Sequence, residues 1–324
     1  MQFVVLGLGS IGRRHAGNLL ALGKQVAGFD VCAAGRMAFE ALGGETFSDR
    51  DAALNLAADG GAVIVASPNG QHRADFLDAL AAGSHVFVEK PFAHRLDGLT
   101  DAVTVAQRHG QTVFAAHNLR YHPAVETARS LLDDAALGDI VWARAICASY
   151  LPDWRPQQDY RKGYAANPAT GGVIFDVIHE FDLCAHLLGP FRSAAASAQH
   201  SGHLEMASED IADIRLEHAC GAATSLHFDY LTRPPVRIMD IAGTAGRLAL
   251  DIVGRRVTHW DIDGAVLLDE TASSVHEDDY RVEMKHFIDC IAGKTAPRCD
   301  GQEAIAVLEE VVAARAIAGL PAHD

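Results

Sequence analysis

A lysine, an aspartate and a histidine stand where their types could steady an oxygen and move a proton. Lys90 follows the apolar run His85-Val86-Phe87-Val88, inside Glu89-Lys90-Pro91. An ammonium there can donate a hydrogen bond to a reacting oxygen and favour an alkoxide-like species. Asp176 and His179 fall at the start of an expected helix, Phe175 to Leu188, where positions i and i+3 share a face. Histidine titrates near neutrality and suits the removal of a hydroxyl proton. A neighbouring carboxylate can hold the imidazole tautomer and stabilise the imidazolium. This is equipment for oxidising an alcohol, provided that a hydride acceptor is at hand. The same residues would also serve as a solvated lysine, a helix-capping acid and a packed histidine.

The N-terminus carries a turn that could hold such an acceptor. Gly7-Leu8-Gly9-Ser10-Ile11-Gly12 follows the apolar run Phe3 to Leu6 and opens a helical stretch, Ser10 to Leu22. Gly7 permits a tight turn, Gly9 lets a pyrophosphate approach the backbone, and Gly12 lets helix and strand pack closely. The amides of Ser10, Ile11 and Gly12 open the helix and would face the phosphates. Asp30 ends the expected second strand, where a carboxylate accepts ribose hydroxyls and repels a 2′-phosphate, which favours NAD over NADP. Arg36 lies close by and could neutralise a phosphate.

The elements that must position these groups alternate at first. Strands are expected at Phe3–Leu6, Gln25–Phe29, Ala62–Ala66, His85–Val88 and Thr112–Ala115, with helices between them. That alternation implies a doubly wound parallel sheet, over residues 1–118. Beyond Asn118 the pattern changes. A helix (His122 to Asp133), a long strand (Ile140 to Tyr150), the helix Phe175 to Leu188 and a run of strands from Ala194 to Leu268 imply a second, α+β domain over residues 119–324. Its sheet is expected to be large, open and mostly antiparallel. Two helices, Glu277 to Ile291 and Gln302 to Ile317, close the chain. Arg120 and Tyr121 begin the second domain and are expected to line a substrate cleft. The loop with Trp154, Arg155, Asp159, Tyr160 and Arg161 has the composition of a sugar clamp, in which aromatic rings stack and arginines bind anions bidentately. The two arginines point to an anionic substrate; a surface loop packing on a neighbouring subunit is the other reading.

Composition excludes several classes. The 324 residues carry a formal net charge of −15, which disfavours a nucleic-acid binder. There is no uninterrupted apolar span and no basic leader ahead of a cleavage site, so neither membrane insertion nor export is expected. The six cysteines form no CxxC pair and read as free thiols in the cytoplasm. His200, His203, His286 and Cys290 have tolerable spacings for a metal but recruit no further ligands, so none is expected.

Four stretches together resemble the Gfo/Idh/MocA family of oxidoreductases: Gly7 through His15, Ala66 through His72, Glu89-Lys90-Pro91, and Gly171 through Asp182. The segment Ser149 to Arg161 looks closer to a subgroup associated with bacterial surface-sugar pathways. The resemblance implies a Rossmann domain and a C-terminal domain with an open sheet. It also implies NAD contacts from Ser67, Pro68, Asn69, His72, Glu89 and Lys90, and catalytic roles for Lys90, Asp176 and His179. The family pattern holds Asp and His one residue further apart than they stand here. The expectation is therefore an NAD-dependent oxidoreductase acting on a CH–OH group of a sugar or polyol. Two rivals are a redox-neutral glycosidase or epimerase and a non-catalytic NAD-dependent sensor. The open sheet needs a cover, which a homodimer or homotetramer would supply.

Overall fold

The computed structural model describes residues 1–168 and 170–321. By their contacts these form two compact units. Sequence reading divides the chain once, after residue 118. The contacts divide it there too, and also return His276–Leu308 to the first unit and leave the rest of the C-terminus with the second.

The first unit contains β1 (Phe3–Leu6), α1 (Ser10–Ala21), β2 (Val26–Phe29), α2 (Ala33–Glu40), β3 (Glu45–Phe47), α3 (Arg50–Leu56), β4 (Ala62–Val65), α4 (His72–Ala81), β5 (His85–Val88), α5 (Leu99–Arg108) and β6 (Val113–Ala115). The six strands are all parallel, in the order β3-β2-β1-β4-β5-β6. Every residue of β1 and β4 is buried, as a sheet covered on both faces requires. The strand order reverses between β1 and β4, and the crevice outside the carboxyl ends of such strands is where doubly wound sheets take ligands. Gly7, Ser67 and Glu89 each follow the carboxyl end of a strand. Late in the chain, α10 (His276–Ile291) returns to this unit and sets Phe287 5.4 Å from Phe87 and 5.5 Å from Phe114. Sequence reading assigns neither β3 nor α3, although Asp49 caps α3 by accepting the Asp51 and Ala52 amides. Both are short, and their apolar positions follow no clear period.

The second unit runs through α6 (Pro123–Asp133), β7 (Ile140–Ala148), the short turns α7 (Leu151–Trp154) and α8 (Val173–Asp176), α9 (Ile178–Leu188), and the strands β8 (Phe191–Gln199), β9 (Ile211–His218), β10 (Ala223–Asp229), β11 (Val236–Gly243), β12 (Gly246–Asp251), β13 (Arg256–Asp261) and β14 (Val266–Thr271). The eight strands are ordered β14-β13-β12-β11-β7-β10-β9-β8, antiparallel except for β7 beside β10. Ile214, Leu216, Leu226 and Phe228 bury one face, with Phe181 of α9 against Phe228. The alternate residues, such as Arg144, Asp213 and Arg215, stay exposed, the pattern of a sheet packed on one side. The last helix, α11 (Gly301–Ile317), belongs to the first unit up to Leu308 and to the second from Glu309.

The expected helix Phe175 to Leu188 is broken. Val177, at φ −96° and ψ 27°, separates α8 from α9. Val177 and Ile178 are both β-branched and favour helix weakly. Asp176 and His179 therefore lie on either side of a break, and not on one face of a continuous helix.

Candidate active site

In the first unit, the glycine turn is built by collision avoidance. Gly7 sits at φ +91°, and a Cβ there would come within 2.5 Å of the Ala66 carbonyl oxygen. A Cβ on Gly12 would lie 1.8 Å from the Gly7 oxygen. Gly9 differs: a Cβ there would meet nothing within 4 Å. Gly9 caps α1 without any side-chain hydrogen bond. The first helical bond runs from the Arg13 amide to the Gly9 carbonyl at 3.1 Å, so the amides of Ser10, Ile11 and Gly12 lie ahead of the ladder. Close packing below an open, amide-lined top is what a dinucleotide pyrophosphate needs.

Asp30 braces this turn. One carboxylate oxygen accepts the Leu8 amide and the other the Cys32 amide, each at 2.7 Å. Arg36 donates to the Asp30 carbonyl at 2.6 Å and to that of Val31 at 3.2 Å. Its guanidinium is thus tied to the backbone beside the carboxylate.

Ser67 and His72 take different parts from those expected of them. The Ser67 hydroxyl donates to Asp75 at 2.6 Å, and Arg50 holds the other Asp75 oxygen at 2.8 Å. The His72 ring, 1% exposed, has Nδ1 2.7 Å from the Pro91 carbonyl and Nε2 2.8 Å from the Ser67 carbonyl. Both nitrogens are committed to backbone, so His72 shapes the walls of the crevice and its ring offers a cofactor no polar atom. Pro68 is exposed and Asn69 half-buried at the crevice edge.

Glu89 is buried beneath Lys90. Its Oε1 lies 2.6 Å from His15 Nε2, and its Oε2 accepts the Lys90 amide at 3.0 Å. Burial pushes the Glu89 carboxyl up, but the bond and charge of His15, with the Lys90 charge and amide, hold it below its ordinary value. Glu89 is therefore an anion at neutral pH, and His15 donates to it. His15 carried no assigned role in the sequence beyond its place after the glycine turn.

In the second unit, Asp176 is 6% and His179 8% exposed. Both Asp176 oxygens accept phenols, from Tyr164 at 2.7 Å and Tyr230 at 2.8 Å. The Tyr230 hydroxyl is pushed well up by burial and then by the Asp176 charge, so it stays a donor. Nothing local in sequence could have paired these residues, since Tyr230 lies beyond the end of β10. The turn ahead of them needs its glycines. A Cβ on Gly171 would lie 2.1 Å from the Tyr164 carbonyl oxygen, and one on Gly172, at φ +95°, 2.2 Å from Glu209 Oε1. Glu209 in turn receives Arg315 at 2.9 Å, both side chains 4% exposed. Burial pushes the Glu209 carboxyl up against the pull of Arg315.

The expected substrate residues divide sharply. Arg120 does not face a ligand from within its unit. It is 2% exposed and grips Asp182 through Nε at 3.1 Å and Nη2 at 2.7 Å, pinning the chain before α6 to α9. Tyr121 is likewise buried, at 4%. Arg120→Ala should destabilise the protein by about 3–5 kcal/mol, because the buried Asp182 carboxylate would lose the guanidinium that grips it. Denaturant unfolding reads this directly; a loss below about 1 kcal/mol, the range of surface pairs, would contradict it.

The loop residues do converge. Trp154, Arg155, Tyr160 and Tyr164 line one cleft with Leu151, Gln158 and Asp159. Trp154 Nε1 donates to Ser149 at 2.8 Å, and its ring stands edge-on to Tyr230 at 5.5 Å. Arg161 is claimed by Asp159 at 2.7 Å and Glu205 at 2.9 Å, bonds that push its pKa up. The Tyr160 hydroxyl accepts the Glu205 amide at 3.1 Å. Arg155, exposed, has no ion-pair partner among the described residues. Tyr164 joins this cleft to Asp176.

Comparison with known proteins places these features. Residues 1–117 match the oxidoreductase family, NAD-binding Rossmann fold, and residues 125–249 match the GFO/IDH/MocA C-terminal domain. The chain is 28% identical over 194 residues to the 2,7-anhydro-N-acetylneuraminate hydratase of Escherichia coli (strain K12), a match covering 59% of this chain and 51% of that protein. It is 28% identical over 259 residues to the 1,5-anhydro-D-fructose reductase of Ensifer adhaerens, covering 75% of this chain and 73% of that one. Matches to the E. coli hydratase and to its Mediterraneibacter gnavus namesake span only 51% and 60% of those relatives' lengths. In structure, the UDP-N-acetylglucosamine 3-dehydrogenase of Acidithiobacillus ferrooxidans shares the fold, with a TM-score of 0.79 at 24% identity over 98% of this chain and 97% of that one. On both of its domains, the chain belongs to the Gfo/Idh/MocA oxidoreductase family, whose NAD-binding Rossmann fold forms its N-terminal part.

Proposed function

We propose that the protein is an NAD-dependent oxidoreductase acting on a CH–OH group of a sugar, an inositol or a sugar derivative. The observation that carries this is the carboxyl edge of the parallel sheet. There the open glycine turn after β1 and Lys90 after β5 flank the same crevice. Gly7, Gly9, Ser10, Ile11 and Gly12 would hold the pyrophosphate, and Asp30 the ribose. NAD, when bound, supplies the hydride acceptor or donor.

The chain's own groups handle the oxygen and the proton. Lys90 donates to the reacting oxygen, and His179 takes or returns the hydroxyl proton. Asp176, held by two phenols, supplies a fixed negative charge close to His179 in the chain. Trp154 and Tyr160 offer faces to a sugar ring, and the unpaired Arg155 favours a substrate with an anionic group. Arg161 is already neutralised and contributes less to that preference.

A redox-neutral use of bound NAD is the second reading, because two relatives are named hydratases. The exposed sheet face, with Trp142 42% exposed, suits a second copy of the chain, which supports a homodimer or homotetramer. No described helix is long and apolar enough to cross a membrane, and all six cysteines are free, which supports a cytoplasmic protein.

A spectrophotometric screen of sugars, inositols and sugar acids, with NAD and NADP in parallel, tests the reading. NADH should form with at least one compound, and faster than NADPH. Faster turnover with NADP would overturn the role given to Asp30. Tightly held NAD that survives purification, with no net NADH formed, would move the assignment to the redox-neutral reading.

A further inference from the structure

We propose that His15 and His72 are positioning residues that clamp the Lys90–Pro91 segment from its two ends. The inference rests on the role proposed for Lys90. A lysine has a long, flexible stem, so the place its ammonium reaches depends on how firmly the main chain beneath it is held.

Three buried groups hold it. His15, 0% exposed, donates to Glu89 Oε1 at 2.6 Å, and Glu89 Oε2 fixes the Lys90 amide at 3.0 Å. One residue further on, the Pro91 carbonyl accepts from His72 Nδ1 at 2.7 Å. The other nitrogen of His72 lies 2.8 Å from the Ser67 carbonyl; both carbonyls accept, so the ring ties the turn after β5 to the turn after β4 when each of its nitrogens carries a proton. With His72 1% and Glu89 7% exposed, water has little room to replace a lost partner.

The helical origin of each histidine gives the clamp its consequence. His15 lies on α1, the helix whose N-terminus faces the expected pyrophosphate. One rigid helix therefore receives the phosphates at its end and, a turn further along, sets the carboxylate under Lys90. His15 Nδ1 is buried without a hydrogen-bond partner, so the ring is placed for its Nε2 contact and not for a second one. Phe87 and Tyr280 pack edge-on against the ring, at 4.9 and 6.0 Å, and hold it there.

Paired amide substitutions separate positioning from bulk. A glutamine nitrogen reaches the place of a histidine Nε2, and an asparagine nitrogen that of Nδ1. His15→Gln keeps the bond to Glu89, and His15→Asn loses it. His72→Asn keeps the bond to Pro91, and His72→Gln loses it while keeping that to Ser67. We expect kcat to fall about tenfold in His15→Asn and His72→Gln, with the KM for NAD little changed, and to stay near wild type in the other two. Hydrogen exchange at the Lys90 amide should speed up about tenfold in His15→Asn and not in His15→Gln. Equal behaviour within each pair, or unchanged exchange in His15→Asn, would overturn the clamp. The exchange readout does not involve turnover. If Lys90→Ala kept full activity, the catalytic reading of Lys90 would fail while the exchange result still decided the clamp.

Discussion

Gly12→Ala should lose NAD binding by about 100-fold or more and lower the stability of the protein. The added Cβ lands 1.8 Å from the Gly7 carbonyl oxygen, far inside contact distance, and the obstacle is backbone. Gly7 itself runs close to the Ala66 and Ser67 main chain, where an added Cβ would lie at 2.5 to 2.6 Å. The turn must open, which costs about 1–3 kcal/mol by analogy with overpacked cores. Opening it also displaces the amides ahead of the α1 ladder. Each hydrogen bond to a charged phosphate is worth about 1.5–3 kcal/mol, so losing two accounts for the affinity change. Gly9→Ala is the informative partner. Its Cβ would meet nothing within 4 Å in the protein, so thermal stability should stay near wild type while NAD affinity still falls. A Gly9→Ala variant that binds NAD normally would place the pyrophosphate elsewhere.

Lys90→Ala and His179→Ala should each cut kcat by about 10²–10⁴-fold while NAD binding stays measurable. Lys90 lies half-buried two residues beyond β5, outside the glycine turn. His179 sits in the first turn of α9, in the other unit from that turn. Neither truncation should therefore dismantle the dinucleotide site. Wild-type-like turnover in either variant would remove that residue from the chemistry. Stopped turnover accompanied by lost NAD binding would instead make it a cofactor-site residue.

The Rossmann half was largely legible in the residues. Runs such as Ala62 to Val65 are apolar throughout because both faces are covered, and Gly7, Gly9 and Gly12 differ in the ways their spacing implies. What escaped was decided at long range. The place of Arg120 in the sequence points to a cleft, but its guanidinium grips Asp182, and Arg161 is held by Asp159 and Glu205. The place of His72 after β4 points to a cofactor contact, but its ring nitrogens face two carbonyls from different loops. The helix expected through Asp176 and His179 breaks at Val177, where two β-branched residues meet a carboxylate drawn toward Tyr164 and Tyr230. Val177 therefore interrupts the helix between Asp176 and His179, which no helical spacing rule anticipates. The return of α10 to the first unit rests on Phe287 meeting Phe87 and Phe114, a contact between distant stretches that no local pattern encodes.

The central claim is that hydride passes between a substrate carbon and the nicotinamide. A substrate identified by the screen, deuterated at its carbinol carbon, tests this most directly through mass spectrometry of the recovered dinucleotide. The account predicts deuterium in the NADH formed by the wild-type protein and almost none with Lys90→Ala. Product that forms while its deuterium is lost to water, with none in the nicotinamide, would contradict it.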